Sequence, residues 1–522
     1  MKHLLTGGLA LGLLIVSLIV AVFPWIPPDK FGIAGAILFV ALIFWGGRRV
    51  WKRPRKAVWV LVLVSALSFP FIVIAQGFGG VDMMAFLFHL EFGMAGAGFE
   101  ELHNEILTAG LALVWIIVAT WALSTVLNRH VGPYIAVIAV LLLTHPLAIF
   151  ALTATVGPQN ESDLAERLTL APAWNGRVPE ADLLVLYLEG LDEVYFEEEF
   201  FGDALKPLAE MKEDALNFTA VRQAEPTLAL MAGIVASQCG IPLVPNGFRA
   251  RNNFHGVEDY LGAHRCLGDV MKAAGYELEF IMGGDMKFAG YGTFLKQHGF
   301  DQQLGLKHFQ QTYSEDLLKV ANINWVLDDQ LLFEEALNRH AGLLDSAEPF
   351  GLFVETITTH GDIAYASREC MKDGIAQQTR DVASVLVCFG EQVVGFLNDI
   401  KTQQGSRPLK IVILSDHLAH DERFKKLLPI EARANTVMMI DVDTNGQIID
   451  KQGAMFDVYP TLLDWLQLSP EGTKTRAGLG VSLFSDAPTL VEEKGLLRLN
   501  QEIYINPSLG RAIWRDDSWA MP

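Results

Sequence analysis

Leu183-Leu184-Val185-Leu186-Tyr187-Leu188-Glu189-Gly190 is a short apolar run closed by a carboxylate. It reads as a buried strand with an acid at its C-terminal end. A second run of the same kind is Leu409-Lys410-Ile411-Val412-Ile413-Leu414-Ser415-Asp416-His417, which ends in an Asp-His pair. In open α/β sheets the carboxyl ends of strands are where sites are built. Between the two lies Glu225-Pro226-Thr227-Leu228-Ala229-Leu230-Met231-Ala232-Gly233-Ile234-Val235-Ala236-Ser237-Gln238-Cys239-Gly240. Pro226 opens a helix well, because its φ is already near helical and its missing N–H is not needed there. Thr227 then sits in a first helical turn, where free N–H groups and the positive dipole end stabilise an alkoxide or a phosphate. Alone, a threonine at this position is usually only a cap. With the two strand ends it completes a set of three oxygens and one nitrogen, from Glu189, Thr227, Asp416 and His417. That set suits one divalent metal, which would acidify the threonine hydroxyl and polarise a phosphoryl oxygen.

Strand-Glu, a Thr that opens a helix after proline, and strand-Ser-Asp-His, in this order, resemble the alkaline phosphatase/sulfatase superfamily. The resemblance is to the branch that contains lipoteichoic acid synthase and the phosphoethanolamine transferases. Within that branch, 231–243, Cys266-Leu267-Gly268-Asp269, Phe288-Ala289-Gly290 with His298-Gly299-Phe300-Asp301, and Ser415-Asp416-His417-Leu418-Ala419 look like the phosphoglycerol transferases that decorate osmoregulated periplasmic glucans. The likeness runs from about Asp182 to Ser485, and Ser-Gln-Cys-Gly and Ser-Asp-His-Leu-Ala are its most specific parts.

The 522 residues are unevenly composed: apolar runs dominate the first 156, and most of the 60 acidic residues lie beyond them. A formal charge of −20 argues against nucleic acid or an anionic membrane surface as partner. Four cysteines, Cys239, Cys266, Cys370 and Cys388, all fall in the polar part. Two disulfides are possible there, and both sequence proximity and the resemblance favour Cys239 with Cys266 and Cys370 with Cys388. Four buried thiols are the plainer alternative.

Apolar runs at 4–22, 31–45, 57–75, 106–127 and 131–156 predict five membrane spans. Arg48, Arg49, Lys52, Arg53, Arg55 and Lys56 place the second loop in the cytoplasm, so the N-terminus is inside and the C-terminal part outside. Residues 76–105 read as an interfacial amphipathic helix or a packed loop. The expected architecture is a multi-pass α-helical membrane domain (1–156), a linker (157–180), an α/β alkaline-phosphatase/sulfatase-like catalytic domain with a mostly parallel sheet (181–486) and an irregular surface-wrapping tail (487–522). Strands are expected at 183–188, 278–282, 351–356, 410–414 and 436–441. Helices are expected at 227–238, 266–274, 325–339, 379–401 and 456–466.

The acids Glu197, Glu198 and Glu199 read as a solvated face, whereas Glu189 follows an unbroken apolar run that buries it. Sulfatases carry a Cys or Ser that becomes formylglycine, with Pro two residues later. Here Pro226 precedes a threonine, which points instead to a phosphorylated Thr227. Thr227 would attack the phosphorus of a phospholipid headgroup, diacylglycerol would leave, and an acceptor hydroxyl would displace the threonine. In the related lipoteichoic acid synthase a histidine after the matching strand contacts the substrate phosphate, a role the resemblance transfers to His360. Asp285 is a candidate for glycerol hydroxyls, with Lys287 as the nearby cation. His255, His264, His298, His308 and His340 read as structural or exposed; His420, just past the Asp-His pair, is less readily set aside.

The expected activity is metal-dependent transfer of phosphoglycerol from phosphatidylglycerol to a periplasmic glucan or related glycan, at the bacterial inner membrane with the catalytic domain in the periplasm. One Mn²⁺ or Zn²⁺ is expected, with Mg²⁺ possible. Phosphoethanolamine transfer and a catalytically silent glycan- or partner-binding domain are the alternatives.

Overall fold

The computed structural model describes Leu63 and residues 162–514, apart from 179, 225–229, 245–258, 324–325, 361–363, 404, 420–423, 425–427, 443, 471–474 and 505. The five expected spans, save Leu63, lie outside the described residues, and so do Thr227, His255 and His420. Among the described residues one helix, Val382–Thr402, is long and apolar enough to cross a membrane, and half of it is buried in the protein interior.

Eight strands form the central sheet: β1 (Asp182–Leu188), β2 (Leu216–Phe218), β3 (Glu277–Met282), β4 (Gln302–Leu304), β5 (Phe350–Glu355), β6 (Leu409–Ser415), β7 (Val437–Ile440) and β8 (Gln447–Ile449). Their order is β8-β2-β7-β6-β1-β5-β3-β4. The five strands from β6 to β4 run parallel, while β7 is antiparallel to both of its neighbours. All seven residues of β1 are buried, because a strand flanked on both edges and covered on both faces must be apolar throughout.

Seven helices matter for the site: α1 (Leu230–Cys239), α2 (Leu267–Ala273), α3 (Tyr291–Gln297), α4 (Asp329–Leu343), α5 (Arg368–Lys372), α6 (Val382–Thr402) and α7 (Val458–Trp465). Side chains alternate across the sheet. Leu184, Leu186 and Leu188 of β1 join Leu352, Val354, Ile411 and Ile413 in one core cluster, with Leu331 and Ala336 of α4 and Val385, Phe389 and Phe396 of α6. The opposite face carries Tyr187, whose hydroxyl lies 3.0 Å from Ser237 Oγ on α1. Helix α1 has no charged residue and is buried along its whole length.

The expected helices and strands recur with shifted ends. Helix α4 starts at Asp329 rather than at 325, because Asp328 Oδ1 accepts the Leu331 N–H as its cap, while Val326–Leu327 pairs with Asn322–Ile323 as a two-residue hairpin. The strands β2, β4 and β8 are three residues each, too short to leave an alternating pattern in the sequence. The described residues beyond 487 are mostly helical, not irregular: Leu490–Lys494, Leu496–Tyr504 and Pro507–Trp514 are helices. Thr489 and Glu492 form a capping box, and Leu496, Leu499 and Ile503 recur on one face and are buried. The described part of the expected linker contains one four-residue helix, Leu164–Arg167, and is tied down by the bond from Thr169 N–H to Gly478 O at 2.8 Å.

Two disulfides staple the helices. Cys239–Cys266 joins the end of α1 to the start of α2, and Cys370–Cys388 joins α5 to α6. Both pairings are the expected ones. Each closes a loop of 27 or 18 residues, which in the chain-entropy picture stabilises the fold by about 3 kcal/mol.

Candidate metal centre

Because β5, β1 and β6 are parallel neighbours, their C-terminal ends open at one edge of the sheet, and Glu189, Asp416 and His417 follow directly from two of them. All three are buried, and each offers a ligand atom within 4.8 Å of the others. His417 Nε2 stands 3.1 Å from Glu189 Oε1 and 3.2 Å from Asp416 Oδ2. Gly190, with φ of +56°, turns its N–H toward Asp416 Oδ1 at 2.8 Å, a conformation that glycine adopts without strain. The same oxygen accepts the His417 N–H at 2.9 Å, which leaves Asp416 Oδ2 facing the centre.

Apart from the His417 Nε2 contacts, Glu189 Oε1, Glu189 Oε2 and Asp416 Oδ2 have no hydrogen-bond partner among the described residues. Buried carboxylate oxygens in that condition are costly unless a cation meets them. His417 Nδ1 lies 2.9 Å from Leu418 O, which can only accept, so Nδ1 carries a proton and the other ring nitrogen is aimed at the carboxylates. Burial drives the His417 imidazole toward its neutral form, but Asp416 and Glu189 outweigh it and raise its pKa. Burial, with Glu189 adding to it, raises Asp416. An imidazolium therefore balances the acids in the absence of a metal. Two carboxylates and one Nε2 fit a divalent cation.

The loop after β5 is fastened from both sides. Thr356 Oγ1 accepts the Glu189 N–H at 3.1 Å, and Thr359 Oγ1 donates to Glu189 O. On the other side Asp329, at the start of α4, accepts the N–H groups of Ile357 and Thr358, each at 2.9 Å. His360 ends this loop, half-buried, with its N–H bonded to Ile357 O at 3.1 Å. The Asp-His loop is fastened too, by Leu418 N–H to Gln223 Oε1 at 3.1 Å and by Arg433, which bridges Asp192 and Ala419 O.

Asp285 and Lys287 lie in the loop after β3, at the same sheet edge; Asp285 Oδ1 accepts the Lys287 N–H at 2.9 Å. Glu197, Glu198 and Glu199 are exposed. His264, His298 and His340 are buried among structural partners, and His308 pairs with Glu335 at 2.7 Å. Cys239, Cys266 and His298 also converge, but both sulfurs are committed to their disulfide.

A residue that the sequence reading passes over is Glu355. It ends β5 as Glu189 follows β1, after an equally apolar run, and that shared signature could have marked it. It is buried, and Tyr291 donates to its Oε1 at 2.8 Å. Burial, and then the charge of Asp416, raises its carboxyl well above the ordinary range.

Residues 216–468 match the family described as Sulfatase. Over this stretch the chain is similar to that family. The matched region begins after β1, so Glu189 lies ahead of it in the sequence. Over 354 residues, or 66% of this chain, the sequence is 31% identical to "Phosphoglycerol transferase I" of Escherichia coli (strain 55989 / EAEC), and equally so to that of Shigella boydii serotype 18 (strain CDC 3083-94 / BS512). The chain spans 43% of the length of these curated relatives. Among solved structures, the lipoteichoic acid synthase LtaP from Listeria monocytogenes is 14% identical at a TM-score of 0.44, over 62% of this chain and 80% of that one. Streptococcus pyogenes phosphoglycerol transferase GacH is 13% identical at a TM-score of 0.39, over 68% and 91%.

Proposed function

We propose that this chain is a membrane-anchored, metal-dependent phosphoglycerol transferase. It moves phosphoglycerol from phosphatidylglycerol to a hydroxyl of a periplasmic glucan or related glycan, on the outer side of the bacterial inner membrane. The observation that carries the reading is the buried meeting of Glu189, Asp416 and His417, two carboxylates and one imidazole whose ligand atoms all lie within 4.8 Å of one another. The 31% identity to phosphoglycerol transferases I supports the choice of transferred group.

Thr227, three residues ahead of α1, is the nucleophile and the fourth ligand of the centre. A metal bound there supplies Lewis-acid stabilisation of phosphoryl charge and favours the ionised threonine. Thr227 displaces diacylglycerol from phosphorus, and the acceptor hydroxyl then displaces Thr227. His360 holds a phosphoryl oxygen, Asp285 receives glycerol hydroxyls, and Lys287 supplies a cation beside them. Formylglycine chemistry is disfavoured, because the residue at the nucleophile position is Thr227, preceded by Pro226, and not a Cys or Ser followed two residues later by Pro. The apolar spans keep the domain near a donor that cannot leave the bilayer.

The test incubates the purified full chain with Mn²⁺ and phosphatidylglycerol radiolabelled in its headgroup. Diacylglycerol release and a labelled Thr227 adduct are expected. Neither product, with metal bound, overturns the reading, and preferential turnover of phosphatidylethanolamine would reassign the headgroup.

A further inference from the structure

Glu355 poses a physical question. It closes a strand whose preceding residues, Phe350 to Val354, are apolar or glycine, and an apolar residue would fill its place at no electrostatic cost. Instead a carboxyl is buried there, its Oε2 has no hydrogen-bond partner among the described residues, and its Oε1 is met by a phenol rather than a cation. Its register is opposite Tyr187 on β1 and Met282 on β3, so it stands between the strand that leads to Glu189 and the strand that leads to loop 283–290.

That loop is held at two ends. At its start Gly283 O accepts the Leu327 N–H at 3.1 Å and Gly284 O accepts the Leu306 N–H at 2.7 Å. At its end Ala289 and Gly290 have φ of +45° and +77°, two left-handed residues in succession, the first of them not a glycine. A backbone bent against its preference in this way persists only where its surroundings hold it. Tyr291, the next residue, is fully buried and bonded to Glu355. Between the two anchors lie Asp285 and Lys287.

We propose that Tyr291 and Glu355 form a positioning pair that fixes loop 283–290 against the metal centre, and that the pair thereby sets how tightly the donor headgroup is held. The proposal rests on the transferase reading for its substrate. The loop's own order does not depend on that reading.

The experiment uses the full chain and three variants. Tyr291→Phe removes one oxygen and keeps the ring beside Phe280, its centroid neighbour at 5.9 Å. Glu355→Met removes the acceptor at similar volume, and Glu355→Gln keeps an acceptor while removing the acid. Hydrogen–deuterium exchange of residues 283–290 is expected to rise in the Phe and Met variants and to stay near wild type in the Gln variant. With phosphatidylglycerol, the Phe and Met variants should raise KM about tenfold, the loss of one buried hydrogen bond, with kcat and Mn²⁺ affinity within about twofold. Whichever of the two folds decides the question. Unchanged exchange and KM in that variant overturn the pair. So does a Glu355→Gln variant that loses Mn²⁺, since Glu355 would then be a ligand. If wild type does not cleave phosphatidylglycerol, the transferase reading fails, while the exchange arm still decides the pair.

Discussion

The carbonyl oxygen of Asp416 stands where a side chain at position 233 would have to go: a β-carbon built on Gly233 falls 1.7 Å from it. Helix α1 therefore rests its backbone directly on the end of β6. The absence of one side chain sets the distance between α1 and the end of β6.

Gly233→Ala should force α1 and the Asp416 loop apart. Overpacking of this kind costs about 1–3 kcal/mol. The expected result is a lower Tm together with weaker Mn²⁺ binding by calorimetry. An Ala232→Gly control, at a buried site on the same helix, should lose about 1 kcal/mol of stability and keep its metal affinity. Unchanged binding in Gly233→Ala would mean that the contact does not govern the centre.

Glu189→Gln removes one of two repelling carboxylates, so the metal-free protein should be as stable as wild type or more so. Wild type should be stabilised by about 2.7 kcal/mol when Mn²⁺ is at a hundredfold its Kd, read as a rise in Tm. The variant should gain almost nothing. A full Mn²⁺ shift in Glu189→Gln would remove Glu189 from the centre.

Asp329 should make stability depend on pH. Burial raises its carboxyl from 3.8 to about 7, against the hydrogen bonds of Thr358 and Ile357 that oppose the shift. Its pKa is higher folded than unfolded, so its contribution is complete below about 3.8 and is lost as pH rises through about 7. Asp457, also raised to about 7 by burial, adds a slope of the same sign. Asp329→Asn should be less stable at pH 4.5, because one backbone N–H loses its acceptor, and the gap to wild type should narrow by pH 8. Urea titrations at both values check this, and a gap that widens with pH would contradict the sign.

Arg433→Met should strand Asp192, which is buried and has the guanidinium as its charge partner. Breaking a buried pair from one side costs about 3–5 kcal/mol. The double variant Asp192→Leu with Arg433→Met should recover much of that loss. Failure to recover would show that the bond from Arg433 to Ala419 O, rather than the charge pair, carries the stability.

Much of the candidate site was legible because two local signals coincide: a buried strand is a continuous apolar run, and an acid at its end interrupts the run. Those signals reach Glu189 and Asp416-His417 without any knowledge of pairing. The same signal at Glu355 was passed over because the strand was read as ending at 356, which left its acid inside the run. The three-residue strands β2, β4 and β8 leave no period to detect, and the C-terminal helices are short enough for their apolar positions to look scattered.

Sequence alone pointed to Glu189, Asp416 and His417 as candidate ligands and to a mostly parallel α/β sheet that presents them, since both follow from the local order of apolar and polar residues. Tertiary structure alone decided that Gly190 and Asp416, 226 positions apart, are hydrogen-bonded neighbours. It also decided that His417 turns Nε2 rather than Nδ1 to the acids, and that Gly233 is where helix and strand end touch. The physical reason is that strand order and helix docking are settled by burial and backbone pairing among distant segments. Each segment is apolar enough to pair with several others, and only the assembled core selects one arrangement.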